Sequence, residues 1–358
     1  MSEHPAGPVR AESPPTDPLP MTPLPIPPPP GTAPPVVVVP RGPVPMPPHR
    51  RWSLRARLIA LVVAVAAIAL IALSVPVPAW AWGFETHKFI VSRAIDMLPE
   101  AIRPFFQANR TFVVEHCIDP DLWRTAGFLD EPPRHFVDID AYGKYPFAEL
   151  PRDYDQALAK FGLATLTKNG LLPWRAAEMS ANLFKTFQDQ QKGVSYARGN
   201  AEFFAAILGH YVADAHVPFH AVMNYDGQLS GQNGIHVRFE EDLFVRYQKD
   251  LSIQPPALRN IPNTRDFIFD TLLASYQQAD AVLAADRAAV GNSTVYDDKY
   301  FDAFFKRVKP ILERRISEAI SAVASVIASE WERAGHPAFP VRPPVRPPAP
   351  RRVGASVP

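Results

Sequence analysis

The chain has 358 residues, a formal net charge of +1 at neutral pH and a single cysteine, Cys117. Proteins that capture duplex nucleic acid electrostatically usually carry a basic stripe, so this near-neutral balance argues against that class of function. One cysteine excludes an internal disulfide and nearly excludes a thiolate metal site. Rigidity must therefore come from side-chain packing or from bound ions.

The first fifty residues are dense in proline, with runs such as PLPIPPPP and PPVVVVP. This composition favours solvated polyproline and lacks the side chains of a core, so we expect residues 1–50 to form a disordered arm. An export signal follows this arm, although such signals normally begin at the N-terminus. Either the arm is a long leader, or the true start is Met46 rather than Met1.

Residues 51–81 have the organisation of that signal. Arginines precede an unbroken apolar run at 58–73, and the A-x-A triplet that ends at Ala81 is a typical cleavage site. We therefore expect cleavage after Ala81, export to the periplasm or the medium, and a mature chain that begins at Trp82. The alternative is an uncleaved membrane anchor, because the run is only slightly shorter than the roughly twenty apolar residues that span a bilayer.

Downstream of the signal, apolar residues recur at spacings of three and four, which is the pattern of helices. The clearest stripes lie at 89–98, 203–211 and 267–272. Further helical candidates are 153–167, 174–190, 266–286 and 297–331, the last interrupted at Pro310. Few segments alternate as strands do, so we expect residues 82–336 to form a single all-α domain and to act as a monomer. A disordered, basic and proline-rich tail is expected at 337–358.

The most informative pattern joins five polar residues within an apolar region. They are His210, Asp214, His220, His236 and Glu240, with the spacing His-x3-Asp-x5-His-x15-His-x3-Glu. Residues four apart share a helix face, so the pattern presents two ligand pairs side by side. Imidazole nitrogen with carboxylate oxygen suits zinc, whereas calcium and magnesium prefer oxygen ligands alone. The pattern predicts a zinc site.

More candidate ligands lie upstream, in WGFETHKFIVSRAIDML and EHCIDPDLWRTAGFLDEPPRHFVDID. They are Trp82, His87, Asp121 and His135, with Asp119 as the second choice for the aspartate. Together with the downstream pattern, these residues resemble the superfamily that joins bacterial zinc-dependent phospholipase C with the secreted single-strand-specific nucleases. The resemblance covers about residues 82–243 at the level of motifs.

The resemblance implies a single helical domain around about three zinc ions. The expected ligand groups are Asp121, His135, His210 and Asp214 for one ion; His220, His236 and Glu240 for a second; and Trp82, His87 and a shared Asp214 for the third. Trp82 would bind through its own amino group, which requires cleavage after Ala81. His116 and His216 have no counterpart in the superfamily, and we expect them to be exposed or to lie behind the ligands.

The reaction implied by the resemblance is hydrolysis of a phosphodiester by a water that zinc activates, with Asp121 also orienting that water. Glu240 and the fourteen-residue separation of Asp121 from His135 are typical of the phospholipase branch. The close spacing of Trp82 and His87 is typical of the nuclease branch. The expected substrate is therefore either a phospholipid or a single-stranded nucleic acid.

Two features bear on that choice. The glycine-rich loop at 224–234 is the expected selector of substrate, with a plain turn-rich connector as the alternative. Aromatic residues for base stacking are available at Trp123, Phe136, Phe219, Tyr225 and Phe239. An alternative of a different class is an exported or membrane-tethered zinc-binding interaction module without turnover, in contact with a membrane through the apolar run at 58–73.

Overall fold

The computed structural model describes residues 83–341, and within this range the chain is helical and contains no β-strand. The all-α prediction is therefore confirmed. The arm at 1–50, the signal segment at 51–81, Trp82 and the tail from residue 342 onward lie outside the described residues. Among the helices of the described part, none combines the length and the apolar character needed to cross a bilayer.

The described helices are connected by turns, by 3-10 segments and by longer non-helical stretches such as residues 251–263. The N-terminal helices are α1 (Phe84–Met97), α2 (Arg103–Ala108), α3 (Arg110–His116) and α4 (Asp119–Thr125). The central helices are α5 (Tyr154–Asn169), α6 (Leu172–Gln191) and α7 (Ala197–Asp214). The C-terminal helices are α8 (Ile235–Val237), α9 (Leu243–Tyr247), α10 (Thr264–Val290) and α11 (Asp298–Arg333). A π-helical turn, Arg238–Asp242, joins α8 to α9. The 3-10 segments are Pro132–His135, Ile139–Tyr142, Pro218–Ala221 and Gln248–Asp250.

Side-chain caps fix where three of the longer helices begin. Asp153, Asn263 and Asp297 each accept a hydrogen bond from the main-chain N–H three residues on, at the starts of α5, α10 and α11. A side-chain oxygen at this position satisfies one of the N–H groups that the first turn leaves unpaired. The helix starts predicted from periodicity therefore have a local chemical cause.

The predicted interruption at Pro310 does not occur, because α11 runs through this residue. A proline inside a helix costs about 3 kcal/mol through the lost N–H donor and the clash of its ring. Pro310 is exposed, while Val308, Leu312 and Ile316 around it are buried. The buried apolar stripe offsets the local cost, and the helix continues.

Helix α7 is the centre of the domain. It packs against α1, α3, α6 and α11, and every residue from 205 to 214 is buried. Small residues allow this close packing: a side chain at Gly209 would place its Cβ 3.0 Å from Val91 Cγ2. Because α7 is covered on all sides, the polar residues of its last turn, His210 and Asp214, are buried as well.

The packed domain extends slightly beyond α11. Phe339 is buried, with its ring centroid 4.5 Å from that of Phe105 and 5.6 Å from that of Phe187. The Trp331 indole N–H donates to the Pro337 carbonyl at 3.0 Å. Packing therefore continues past residue 336, where the sequence placed the start of the tail.

Candidate metal centre

The last turn of α7 forms the first part of a buried cluster of ligand-type side chains. His210 Nε2 lies 3.3 Å from Asp214 Oδ2, as the four-residue spacing predicts. His135, at the end of its 3-10 segment, places Nδ1 3.1 Å from Asp214 Oδ2 and 3.1 Å from His210 Nε2. Two separate elements therefore present nitrogen and oxygen donors to one point.

Helices α1 and α4 contribute the next two side chains. His87 Nε2 lies 3.3 Å from Asp214 Oδ1, and its ring stacks on that of His210 with centroids 4.1 Å apart. Asp121 Oδ1 lies 3.7 Å from His135 Nδ1, and one ligand atom from each of His87, Asp121 and His210 falls within a common 4.8 Å. Helical turns that are distant in sequence thus converge on α7.

The structure distinguishes Asp121 from Asp119, the two aspartates of α4 that were considered as candidate ligands. Asp121 has no solvent exposure and faces the cluster. Asp119 instead places Oδ2 2.8 Å from Nδ1 of His116, on the outer side of the helix. The structure therefore brings Asp121, the first choice from the sequence, to the other candidate ligands.

A second group of three donors adjoins the first. His236 Nε2 lies 3.0 Å from Glu240 Oε2, and His220 Nε2 lies 4.0 Å from the same oxygen. His220 Nδ1 is also 3.8 Å from Asp214 Oδ1, so the two groups are neighbours. Glu240 lies in the π turn, a local distortion that often occurs at functional sites. The Thr86 hydroxyl donates to the Glu240 carbonyl at 3.1 Å and ties this turn to α1.

Outer hydrogen bonds orient two of the imidazole rings. His210 Nδ1 lies 2.9 Å from the Cys117 carbonyl, and His220 Nδ1 lies 2.5 Å from the His135 carbonyl. A carbonyl only accepts, so each Nδ1 carries the proton and donates it. Each neutral ring then has its lone pair on Nε2, which faces the cluster. Metal-binding histidines are usually oriented by such bonds.

The unsatisfied polar atoms of the cluster provide a test of whether a metal fits. Both ring nitrogens of His87 and His236, both carboxylate oxygens of Asp121 and Glu240, and one oxygen of Asp214 are buried without a hydrogen-bond partner. His236 and Glu240 are close enough to bond, but their alignment is wrong for a hydrogen bond. Each such buried atom costs about 1–3 kcal/mol if nothing compensates it. A cation bound among these donors supplies the compensation, and the nitrogen and oxygen set suits zinc.

The protonation preferences of the buried groups agree with this fit. Burial lowers the pKa of His220 to about 4 and holds the pKa of His236 well below its ordinary value. Burial, with the nearby Asp214 and Asp121, raises the pKa of Glu240 well above its ordinary range. His220 and His236 are thus neutral, which is the form that binds a metal, and the Glu240 carboxylate needs a nearby cation to ionise.

The cluster opens into a cavity of about 450 Å³. His135, His220 and His236 line it together with the cations Arg124 and Lys168. The remaining lining is mainly apolar, from Pro132, Phe136, Phe219 and Tyr225, with one acidic residue, Asp138. The cavity can therefore take a negatively charged group together with apolar or aromatic matter.

The aromatic residues proposed for base stacking are only partly available. Phe239 is fully buried in the core, and Phe219 lines the cavity wall without exposed surface. Trp123 lines a different cavity, with Phe128 and Leu129. Of the predicted set, Tyr225 and Phe136 retain accessible surface beside the cluster.

Two charged neighbours of the ligands were missed by the sequence reasoning. Arg124 NH2 lies 3.3 Å from Asp121 Oδ1, and Glu131 Oε1 lies 3.6 Å from His135 Nε2. Glu131 is itself held by the hydroxyl of Tyr211. Both missed residues stand three or four positions from a predicted ligand, so helical spacing was a signal that could have found them.

The two histidines left out of the site lie outside the cluster. The His116 side chain is 41% exposed and pairs with Asp119. His216 is buried, and its Nδ1 donates to the Val212 carbonyl at 2.8 Å. Neither is among the grouped ligand atoms of the described residues.

Comparisons with known proteins agree with this geometry. The family model described as zinc dependent phospholipase C matches residues 86–319, which include His87 and every candidate ligand downstream of it. No curated protein sequence matches the chain significantly. The solved structure of the alpha toxin from Clostridium absonum is similar, with a TM-score of 0.41 and 16% identity; the match covers 70% of this chain and 63% of the toxin chain, less than two thirds of its length. The family match spans more than half of the chain, and the protein therefore belongs to the zinc dependent phospholipase C family.

Proposed function

We propose that the protein is an exported, zinc-dependent phosphodiesterase that hydrolyses phospholipids in the manner of a phospholipase C. The observation that carries the proposal is the convergence of eight buried ligand-type side chains in one cluster, three of which, His135, His220 and His236, also line the adjoining cavity. The eight are His87, Asp121, His135, His210, Asp214, His220, His236 and Glu240. Membership of the zinc dependent phospholipase C family favours phospholipid over nucleic acid.

We propose that the centre holds about three zinc ions. Three groups of ligand atoms support this number, although two of the groups share His210. The third ion needs the amino end at Trp82. Gly83, the first described residue, immediately precedes α1, which carries His87, and a Cβ placed on it would lie 2.5 Å from Glu241 Cγ. The peptide that follows Trp82 is therefore in contact with the turn that carries a candidate ligand.

The chain's own residues supply substrate binding and proton handling. Arg124 lines the cavity and lies beside Asp121. Its guanidinium can therefore bind a phosphate oxygen of a substrate that reaches the cluster. Lys168 adds a second positive charge to the lining of the cavity. Asp121 Oδ1 lies beside Arg124, while Oδ2 receives no hydrogen bond and can orient a water and accept its proton. Zinc bound here supplies Lewis acidity toward the phosphoryl group and a more acidic water.

The apolar part of the cavity lining supports a lipid substrate. Pro132 and Phe136 provide apolar surface beside the three histidines, while Phe219 and Phe239, two of the predicted stacking residues, are fully buried. A phosphodiester with an apolar alcohol fits a cavity whose lining combines cationic and apolar residues. The loop at 224–234 contributes Tyr225 to the same cavity, which supports its proposed role in selecting the substrate.

Export remains a proposal from the sequence. Cleavage after Ala81 would release the exported chain and also free the Trp82 amine. Export and assembly of the third zinc group would therefore both depend on cleavage of the Ala81–Trp82 peptide bond. Intact mass of the protein recovered outside the cytoplasm tests this directly. A chain that begins at Trp82 is expected, and a chain that retains residues 58–73 would favour the membrane anchor.

The substrate is tested by comparing three diesters under one condition. The zinc-loaded full chain should hydrolyse phosphatidylcholine vesicles and bis(p-nitrophenyl) phosphate faster than a single-stranded oligonucleotide. Asp121→Asn should abolish hydrolysis, while His116→Ala, altered at a partly exposed ring outside the cluster, should not. Preference for the oligonucleotide would establish the nuclease alternative. Tight zinc binding without hydrolysis of any of the three would establish the interaction module.

A further inference from the structure

The connector between two candidate ligands is held from behind by helices that contribute no ligand. Helix α7 ends at Asp214, and His220 follows in the segment Pro218–Ala221. The position of His220 relative to Asp214 therefore depends on the path of residues 215–217. Active-site groups lose function when they are displaced by about 1 Å, so this path matters.

Two carbonyls of the connector find their donors on α10 and α11. The Ser275 hydroxyl donates to the Ala215 carbonyl at 2.6 Å, and Arg315 Nε donates to the His216 carbonyl at 2.9 Å. The last carbonyls of a helix have no partner within it, and a buried carbonyl needs a donor from elsewhere. All four residues are buried, and the side chains of Ser275 and Arg315 supply these donors. The bonds fix the connector at two successive peptides.

Arg315 is the centre of this arrangement. Its NH2 group donates to Ser275 Oγ at 2.6 Å and to the Thr271 carbonyl at 3.3 Å, and NH1 donates to Glu318 at 2.5 Å. Burial lowers the pKa of Arg315 to about 10, which leaves the guanidinium charged at neutral pH. The planar guanidinium of an arginine can donate to these separate acceptors at once, whereas the single ammonium of a lysine cannot reach all of them.

We propose that Arg315 and Ser275 are positioning residues of the metal centre, which hold the Ala215–His216 connector so that Asp214 and His220 face the same ions. The inference rests on the proposed zinc centre. It assigns a role to α10 and α11 beyond packing. Loss of either donor should loosen the metal ligands, in addition to any loss of overall stability.

Ser180 provides a matched control for a merely structural effect. It is 2% exposed, against 0% for Ser275, and it also lies on a long helix. Its hydroxyl is 2.7 Å from Thr264 Oγ1 and also bonds Glu330. None of these partners is a candidate ligand. Ser180→Ala and Ser275→Ala therefore each delete one buried hydroxyl, but only the second deletion reaches the metal-binding turn.

The test compares zinc release in four forms of the full chain: wild type, Ser275→Ala, Arg315→Lys and Ser180→Ala. Each zinc-loaded protein is mixed with excess chelator, and the cobalt-substituted proteins are compared by visible spectroscopy. Ser275→Ala and Arg315→Lys should release zinc about 10- to 100-fold faster and shift the cobalt bands, whereas Ser180→Ala should do neither. Urea unfolding of the metal-free proteins should show similar losses for the two serine variants.

Wild-type release rates and cobalt spectra in both Ser275→Ala and Arg315→Lys would overturn the inference. If Arg315→Lys does not fold, Ser275→Ala decides alone. A wild-type chain that holds zinc but hydrolyses no diester would refute the proposed activity, while the release rates would still decide the positioning role. A wild-type chain that binds no zinc would overturn both.

Discussion

Glu240→Gln should affect the zinc-loaded protein and the metal-free protein differently. The substitution keeps the side-chain shape but removes the charge of a fully buried carboxylate that lies 3.0 Å from His236 Nε2. With zinc bound, the change removes a ligand. Without zinc, the change replaces a buried carboxyl group that receives no hydrogen bond and whose ionisation is disfavoured by burial and by the nearby Asp214 and Asp121. Stability should fall in the first state and stay level or rise in the second.

The size of the effect follows from metal linkage. A site filled at about 100 to 1,000 times its dissociation constant contributes about 2.7 to 4.1 kcal/mol to stability. For a domain of about 250 residues, each kcal/mol shifts Tm by about 2–4 °C, so the zinc-loaded variant should melt about 5–16 °C below wild type. In chelator, the loss of an unpaired buried acid should change stability by less than about 1 kcal/mol or increase it.

Thermal melts with excess zinc and with excess chelator measure both differences on one preparation. Glu115→Gln is the control, since this carboxylate is 59% exposed and pairs only with Lys88 among the described salt bridges. It should shift neither melt by more than about 2 °C. An equal loss of Tm for Glu240→Gln in zinc and in chelator would refute the reasoning, because Glu240 would then act as a structural residue rather than as a ligand.

Three further predictions concern two residues of the centre and one buried ion pair outside it. His236→Ala should lose one zinc ion and nearly all hydrolysis, whereas His116→Ala should keep both; metal analysis and initial rates on the same samples check this. Asp121→Asn should lower kcat at least about a hundredfold, since it removes a ligand and a proton acceptor; a smaller loss at full zinc content would contradict that role. Asp286→Asn should weaken the buried pair with Arg238, whose NH2 lies 3.2 Å from Asp286 Oδ1, and lower the free energy of unfolding by about 3–5 kcal/mol in urea. A loss below about 1 kcal/mol would contradict the prediction.

The local part of the centre was predictable because helical periodicity is a short-range rule. The spacing of His210 and Asp214 places them on one face of any helix, and α7 has that geometry. The convergence of His87 and His135 with this pair could not follow from spacing, because it depends on how separate elements pack against α7. Those residues were found through the superfamily resemblance, which the family match confirms.

The supporting residues could not be found from the sequence, because their role is decided by packing. Arg314 and Arg315 are adjacent and identical in type, yet Arg314 is exposed and Arg315 is buried against the Ala215–His216 connector. Pro310 predicted a break that the buried stripe of α11 overrides. The π turn at Glu240 has no sequence signature in a pattern that otherwise reads as one continuous helix. Each of these features depends on contacts between residues that are far apart in sequence.

The central claim is that this buried cluster binds zinc and hydrolyses phosphodiesters. The most direct measurement is the zinc content and intact mass of protein recovered outside the cytoplasm, with bis(p-nitrophenyl) phosphate hydrolysis on the same sample. The account predicts a chain that begins at Trp82, about three zinc ions per chain, and turnover that chelator removes and zinc restores. A folded chain that holds no zinc and hydrolyses no diester would contradict it.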